Sequence, residues 1–291
     1  MAVAEIDGLE IAYDVIGDEG AQPWVLTPGG RFSKDYGGVR EVAHALAERG
    51  RRCLIWDRPN CGESSVCFDG PPESVLQADA LAGLLRHLGM APAVIIGGSG
   101  GARVSLVTAG RHPDVAEKLA LWWISGGPYG LMSLGVHYCG SSIVAAWQHG
   151  MEAVAELPEW AEVIQRNPRN RDRFLALDPK AFIRTMEQWM LAYHPREDEL
   201  IPGIRDDAVR AMELPALVFR SGESDVHHTR ETSERLADLL PNGSLAEPPW
   251  GDTEWMERMQ ASASGESLFA RWPLLVPLLV DWVDHGVVPG A

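Results

Sequence analysis

Cysteine is scarce in this chain: there are four in 291 residues, and no two of them form a C-x-x-C pair. Cysteines in this number and arrangement are typical of reduced thiols, so we do not expect a disulfide framework. The N-terminus also lacks the basic start and apolar run of a secretory signal and carries acidic residues instead. Both absences predict a cytoplasmic protein.

Positive charge is in short supply as well. The chain has 25 Lys and Arg against 41 Asp and Glu, which gives a formal net charge of −16 at pH 7. That charge repels phosphate backbones and anionic lipid, which argues against nucleic-acid and membrane-surface partners. The most apolar stretch, 272–283, is too short to span a bilayer and is interrupted by prolines and an aspartate. We therefore expect a small-molecule partner, and the sequence leaves a homodimer open.

Hydrophobic periodicity predicts the fold. In the first 125 residues short apolar runs alternate with amphipathic stretches at helical spacing, as in 93–96 followed by 102–110. This alternation is typical of βαβ units, so we predict an α/β fold with a mostly parallel sheet of about eight strands flanked by helices. The rhythm then changes to segments rich in Trp, Met and Pro. The predicted organisation is a core of 1–125 plus 213–291, interrupted by a helical insertion over 126–212 with helices at 142–156, 160–165 and 180–192.

A glycine-serine turn is the strongest chemical signal. Gly97-Gly98-Ser99-Gly100-Gly101 follows a predicted strand and precedes a predicted helix, which is the context that G-x-S-x-G requires. Such a turn strains the serine backbone, and its glycines let strand and helix approach closely. A phosphate-binding loop would need a following lysine or a G-x-G-x-x-G spacing, and neither is present. We therefore predict Ser99 as a nucleophile, with the backbone N–H of Gly100 facing a developing oxyanion.

The order of motifs along the chain resembles the α/β-hydrolase superfamily, in its capped serine-hydrolase form. The resemblance rests on the Asp7-Gly8 hairpin, on Leu-Thr-Pro-Gly-Gly at 26–30, on Trp-Asp-Arg-Pro-Asn-Cys-Gly-Glu-Ser at 56–64 and on the serine turn. It implies that Gly30 donates the second oxyanion N–H and that the insertion is a cap that sets substrate choice. It also implies catalysis without a metal or an organic cofactor. Pro28 stands where the family usually has histidine, which need not affect a backbone donor.

The predicted acid is Asp225, in a loop after the strand at 216–219 that is similar to the family's G-x-x-D loop; Glu223 is the fallback. A turn aspartate that caps the next helix is the alternative interpretation. The family's base should follow the last strand, but no histidine lies between His228 and His285. Matching without gaps puts Asp252 at that position. Without a general base, a serine hydroxyl is a weak nucleophile near neutral pH.

Three explanations for the missing histidine stay open. His228 or His227, just after the predicted acid, could supply the base, although exposed loop histidines are as plausible. Asp252 could itself be the base beside Asp225, an arrangement better suited to a lyase or isomerase than to ester cleavage. The third explanation is a ligand-binding relative without turnover.

Aromatic and basic residues near the strand ends suggest a pocket. Trp123 and Trp250 flank the expected opening, and we predict that they contact the ligand. Arg31 and Arg58 lie in neighbouring loops, where either could hold a substrate carboxylate, but surface ion pairing is the more common explanation. The sequence thus predicts a hydrolase of a small hydrophobic carbonyl compound, an ester, a lactone or a carbon–carbon bond, with Ser99 as nucleophile and a non-standard base.

Overall fold

Eight strands form one sheet in the computed structural model, which describes residues 1–290. The strands are β1 (Ala2–Ile6), β2 (Leu9–Ile16), β3 (Gln22–Thr27), β4 (Arg51–Trp56), β5 (Ala93–Gly98), β6 (Ala116–Trp122), β7 (Ala216–Phe219) and β8 (Gly243–Ala246). Their order across the sheet is β1-β2-β4-β3-β5-β6-β7-β8. The pairs β1–β2 and β2–β4 are antiparallel and all others are parallel. The predicted α/β fold class is confirmed.

Helices cover both faces of the sheet and fill the segment between β6 and β7. They are α1 (Val39–Ala47), α2 (Glu73–His87), α3 (Gly100–Arg111), α4 (Pro128–His149), α5 (Met151–Ala155), α6 (Pro158–Arg166), α7 (Arg169–Leu175), α8 (Pro179–Ala192), α9 (Asp206–Arg210), α10 (Arg230–Leu239), α11 (Glu254–Ala263) and α12 (Val276–His285). Short 3₁₀ turns occur at Pro113–Val115 and Trp272–Leu275.

The parallel strands are apolar because both of their faces are covered. Every residue of β5 and β7 is buried. One core cluster packs α2 and α3 against one face, and a second packs α1 and α12 against the other. In the register, Leu26 of β3 pairs with Ile96 of β5, which pairs with Ala120 of β6. The carboxyl ends of these strands therefore meet at one edge, which is where open α/β sheets bind ligands.

The segment between β6 and β7 has a hydrophobic core of its own. Trp160, Phe174 and Phe182 are fully buried there, and Phe68 from the loop before α2 packs among them. This position and composition agree with a helical insertion. Its boundaries as a separate unit and its role as a cap stay predictions.

Helix α4 begins much earlier than the sequence suggested, at Pro128 instead of 142. The first half of α4 contains glycines, which lower helix propensity, so the sequence did not predict a helix there. Gly135 explains why packing overrides propensity here: a β-carbon on it would lie 3.2 Å from Tyr193 Cβ and 3.3 Å from the Met190 carbonyl oxygen. The helix thus uses small residues to approach the end of α8. Helices α7, α9 and α11 were also not predicted.

All four cysteines are free, and three of them are buried. Within residues 1–290, no helix is both long enough and apolar enough to cross a membrane. Over the same range, no group of three or more His, Cys, Asp or Glu side chains is placed to hold a metal ion.

Candidate active site

The glycine-serine turn connects β5 to α3 and has the strained geometry that the sequence predicts. Ser99 has φ 57°, in the left-handed region that non-glycine residues rarely adopt. A β-carbon on Gly97 would lie 2.7 Å from the Gly101 carbonyl, so a larger residue would push strand and helix apart. The Ser99 N–H donates to the Trp122 carbonyl at 3.1 Å, which ties the turn to the neighbouring strand.

His228 lies against this serine. Its Nε2 is 2.8 Å from Ser99 Oγ, and its Nδ1 is 2.8 Å from Asp225 Oδ2. The histidine is 6% exposed and the aspartate 5%, so both hydrogen bonds are largely shielded from water. A hydroxyl, an imidazole and a carboxylate in this order have the geometry of a Ser-His-Asp triad.

The acid and the histidine belong to one loop, between β7 and α10. Asp225 Oδ1 accepts the backbone N–H groups of His227 at 3.0 Å and His228 at 2.9 Å. This tight turn brings a residue only three positions later back over the other carboxylate oxygen. Thr229 then begins α10 by accepting the N–H of Thr232 through its side chain. The local turn chemistry therefore presents His228 to both Asp225 and Ser99.

Arg258 is a site residue that the sequence analysis missed. Its Nη2 donates to Asp225 Oδ2 at 3.0 Å and its Nε to Glu254 Oε1 at 3.0 Å, with the guanidinium carbon 3.8 Å from the centre of the Trp123 ring. Burial by itself raises the pKa of Asp225, but the opposing effects of His228 and Arg258 prevail and lower it. The Glu-x-x-x-Arg spacing at 254–258 was the available signal, since it indicates an ion pair along a helix.

Asp252 does not take the place of the missing histidine, which corrects one of the alternatives. Its side chain is 59% exposed and its carboxylate is bound by Arg230. Within residues 1–290 its side chain makes no hydrogen bond to Ser99 or His228. Matching this chain to the family pattern without gaps gave the wrong residue because the loop after β8 leads into α11. The position that the resemblance assigns to the base therefore carries an exposed aspartate paired with Arg230.

His227 faces away from the serine. Its ring lies 6.2 Å from the rings of Tyr129 and Trp255, and its contribution to the site is the backbone N–H that Asp225 accepts. Burial and the neighbouring His228 lower the pKa of His227. Of the two histidines left open by the sequence, the structure therefore places only the ring of His228 against Ser99.

The two predicted oxyanion donors are adjacent. A β-carbon on Gly100 would lie 3.3 Å from the Gly30 backbone nitrogen, and one on Gly29 would lie 2.9 Å from Ser99 Cβ. Gly100 begins α3, whose N-terminus favours negative charge. Arg58 is 2% exposed and anchors the loop that contains Gly29 and Gly30. Its Nη2 donates to the Gly29 carbonyl oxygen at 3.2 Å and to the Gly30 carbonyl oxygen at 2.7 Å. The surface role considered for Arg58 is therefore wrong.

Trp123 has a different contact from the one we expected. It is 3% exposed, with φ 51°, and its ring stacks near His228 at 6.1 Å between centroids while Arg258 covers it. Such burial suits a support for the triad better than a surface for substrate. Trp250 lies against Trp123 at 5.8 Å and is more open. Its predicted ligand contact stays a prediction.

A groove opens beside the oxyanion loop. It has a volume of about 420 Å³ and lies between the Gly30–Phe32 loop and the helical insertion. Arg31 lines it and is 10% exposed, so it too is not a surface residue. Its Nη1 donates to the Tyr138 carbonyl at 2.9 Å and its guanidinium carbon is 4.2 Å from the centre of the Trp160 ring.

Comparison with known proteins agrees with this fold. The family model described as "Alpha/beta hydrolase family" matches residues 24–241. The chain belongs to this family. A curated α/β-hydrolase relative, the mouse (Mus musculus) sn-1-specific diacylglycerol lipase ABHD11, is 32% identical over 157 residues. That match covers 54% of this chain and 47% of the mouse protein, so the chain spans about half the length of this relative.

Solved structures of α/β hydrolases share the fold. The enol-lactonase from Burkholderia xenovorans LB400 has a TM-score of 0.56 at 24% identity, over 91% of this chain and 97% of that one. The enzyme MGS-M2 from a deep-sea metagenome library has a TM-score of 0.61 at 18% identity, over 90% and 94%. Membership in the family supports a hydrolase, whose relatives include proteins named as lipase, esterase and lactonase.

Proposed function

We propose that this protein hydrolyses a small ester or lactone through an acyl-serine intermediate, with Ser99 as nucleophile and His228 as base. The observation that carries the proposal is the pair of 2.8 Å contacts that link Ser99 to His228 and His228 to Asp225. The proposed triad has standard geometry. It is non-standard because its acid and its base come from the same loop.

Each residue has a defined task in this reaction. His228 Nε2 takes the proton from Ser99 Oγ as the oxygen attacks the substrate carbonyl carbon, and the bond to the leaving oxygen then breaks as the histidine returns the proton to it. Asp225 accepts from Nδ1, which fixes the tautomer and stabilises the imidazolium. The N–H groups of Gly30 and Gly100 receive the negative charge on the carbonyl oxygen. Water activated by His228 then releases the acid.

The other two functions left open by the sequence have less support. A lyase or isomerase that uses Asp252 would need this carboxylate beside Ser99, whereas it pairs with Arg230 at the surface. A binding protein without turnover would have no use for a strained serine aligned with a buried histidine and aspartate. The proposed helical cap and the groove of about 420 Å³ beside it suit a small substrate with one carbonyl.

Covalent labelling and two matched histidine variants test this function. A fluorophosphonate should label the protein stoichiometrically, and Ser99→Ala should abolish the labelling. His228→Ala should lower kcat/KM for p-nitrophenyl acetate by about 10³-fold or more, since nucleophile and base act as a unit. His227→Ala, with a backbone contact but no ring contact to the triad, should lower it less than about threefold. Absence of labelling at any pH, or equal losses in the two histidine variants, would overturn the proposal.

A further inference from the structure

Three arginines and two tyrosines lie close together beside the groove, and two of them, Arg31 and Tyr138, line it. Arg31 stacks on Trp160, and its guanidinium carbon lies 5.2 Å from the centre of the Tyr138 ring. Arg103, on α3, donates from Nη2 to the Tyr193 hydroxyl at 2.6 Å. We call Arg31, Arg58, Arg103, Tyr138 and Tyr193 the arginine cluster.

The cluster contains hydrogen-bond donors that no protein group uses. Arg31 Nε, Arg58 Nε and Arg103 Nε are shielded from solvent and have no hydrogen-bond partner within residues 1–290, and Arg31 Nη2 has only a 3.5 Å ion pair with Glu73. A buried donor without a partner is costly, and more so when it belongs to a charged group. Arg51 and Arg220 also have an Nε without a partner over the same range, so what distinguishes the cluster is that three such guanidiniums lie together around Tyr138.

Charge is also unbalanced in this cluster. Burial raises the pKa of the Tyr138 hydroxyl, while the positive charges of Arg103, Arg31 and Arg58 act against this rise and Glu73 adds to it. Three cations thus face one carboxylate around this hydroxyl. Glu73 is itself shared, since it accepts from the Asn60 amide at 3.1 Å and lies 3.5 Å from Arg31 Nη2. The surplus positive charge is notable in a chain whose net charge is −16.

The arginine cluster lies directly beside the proposed reaction centre. Tyr138 Oη would be 3.7 Å from a β-carbon on Gly30, and Arg58 Nη1 would be 3.7 Å from one on Gly100. Arg31 and Tyr138 both line the groove that opens next to Gly30. A substrate whose carbonyl oxygen sits in the oxyanion hole can therefore place a second group, a few bonds away, against these guanidiniums.

We propose that the substrate carries a carboxylate, and that Arg31 and Arg103 bind it while the ester or lactone carbonyl lies at Ser99. Guanidiniums bind carboxylates with charge-assisted and often bidentate hydrogen bonds, which would use the free donors and balance the charge. This inference rests on the proposed function and replaces the predicted hydrophobic carbonyl compound with an anionic one, a half-ester or lactone acid.

Two esters of equal shape and different charge test the proposal by activity. Mono-p-nitrophenyl glutarate carries a terminal carboxylate, and p-nitrophenyl 5-methylhexanoate carries an isopropyl group in its place. We expect kcat/KM to favour the glutarate ester at least 10-fold. Arg31→Gln and Arg103→Gln should each reduce this preference at least 10-fold, mainly through KM. Arg111→Gln is the matched control, since Arg111 is on the same helix as Arg103 but forms an exposed ion pair with Asp79; it should keep the preference.

A binding measurement separates this inference from the proposed function. With Ser99→Ala protein, glutarate should bind by isothermal titration calorimetry and raise Tm, whereas neutral glutaramide should not, and adding Arg103→Gln should remove the effect. If glutarate binds but no ester is hydrolysed, the carboxylate site stands and the proposed function fails. If the neutral ester is hydrolysed equally well and glutarate does not bind, the carboxylate site is refuted. Equal losses on both esters in the arginine variants would also refute it, because they would show a purely structural role.

Discussion

Arg258 offers the sharpest test of how the triad is supported, through the substitution Arg258→Met. Methionine keeps much of the volume but removes the hydrogen bonds to Asp225 and Glu254 and the contact with the Trp123 ring. Breaking a buried ion pair by removing one partner costs about 3–5 kcal/mol. Asp225 keeps His228 and two backbone donors. Burial already raises the pKa of Glu254, so this carboxyl can take up a proton. We therefore expect the low end, a loss of about 3 kcal/mol in the free energy of unfolding.

Urea denaturation at pH 7 measures this loss directly, because the midpoint falls while the slope stays constant. Arg271→Met is a suitable control. Arg271 also pairs with a residue of α11, Glu257, but both side chains are more than 40% exposed, so its loss should cost less than about 1 kcal/mol.

The reasoning fails if Arg258→Met and Arg271→Met destabilise the protein equally, since the buried position would then carry no extra energy. A double variant, Glu254→Gln with Arg258→Met, adds a check on the mechanism. It should be less destabilised than the sum of the two single variants, because each single change leaves the other partner buried and unpaired.

Three further changes have defined outcomes. Arg58→Met should lower kcat for p-nitrophenyl acetate by about 10- to 100-fold with a smaller effect on KM, because the loop that carries Gly30 loses its anchor; an unchanged kcat would show that the loop needs no such support. The pKa of Asp225 is lowered in the folded protein, so its ionised carboxylate stabilises the fold fully above the ordinary carboxyl pKa, near 3.9, and this stabilisation is lost as pH falls through the lower folded value. In urea titrations, the difference in stability between wild type and Asp225→Asn should therefore shrink below about pH 4. A constant difference would contradict this. Asp252→Asn should change kcat/KM less than about twofold, since its partner Arg230 lies at the surface, and a large loss would restore Asp252 as a candidate base.

The local sequence was sufficient for the parts of the site that depend on neighbouring residues. The strand, the glycines and Ser99 predicted the turn because backbone sterics at these positions leave few alternatives. Asp225 was predicted through the resemblance of its loop to the family's G-x-x-D loop. The same reasoning left His228, His227 and Asp252 open, because all three lie in loops and a family pattern gives no distances. The alternative that Asp252 is the base was wrong because α11 redirects the loop after β8. The sequence of α11 has only a weak helical signal, so this helix could not be recognised without its packing partners.

By itself, then, the sequence determined the α/β sheet and the strained serine turn, since these follow from hydrophobic period and local backbone chemistry. Only the tertiary structure decided which histidine reaches Ser99, because this depends on the turn that folds His228 over Asp225 and on the meeting of two strand ends at one sheet edge. The same is true of Arg31, Arg58 and Arg103. They are far apart in sequence, where Arg31 and Arg58 were most simply surface charges and Arg103 gave no signal. The packing of the helical insertion against the Gly30–Phe32 loop brings them together.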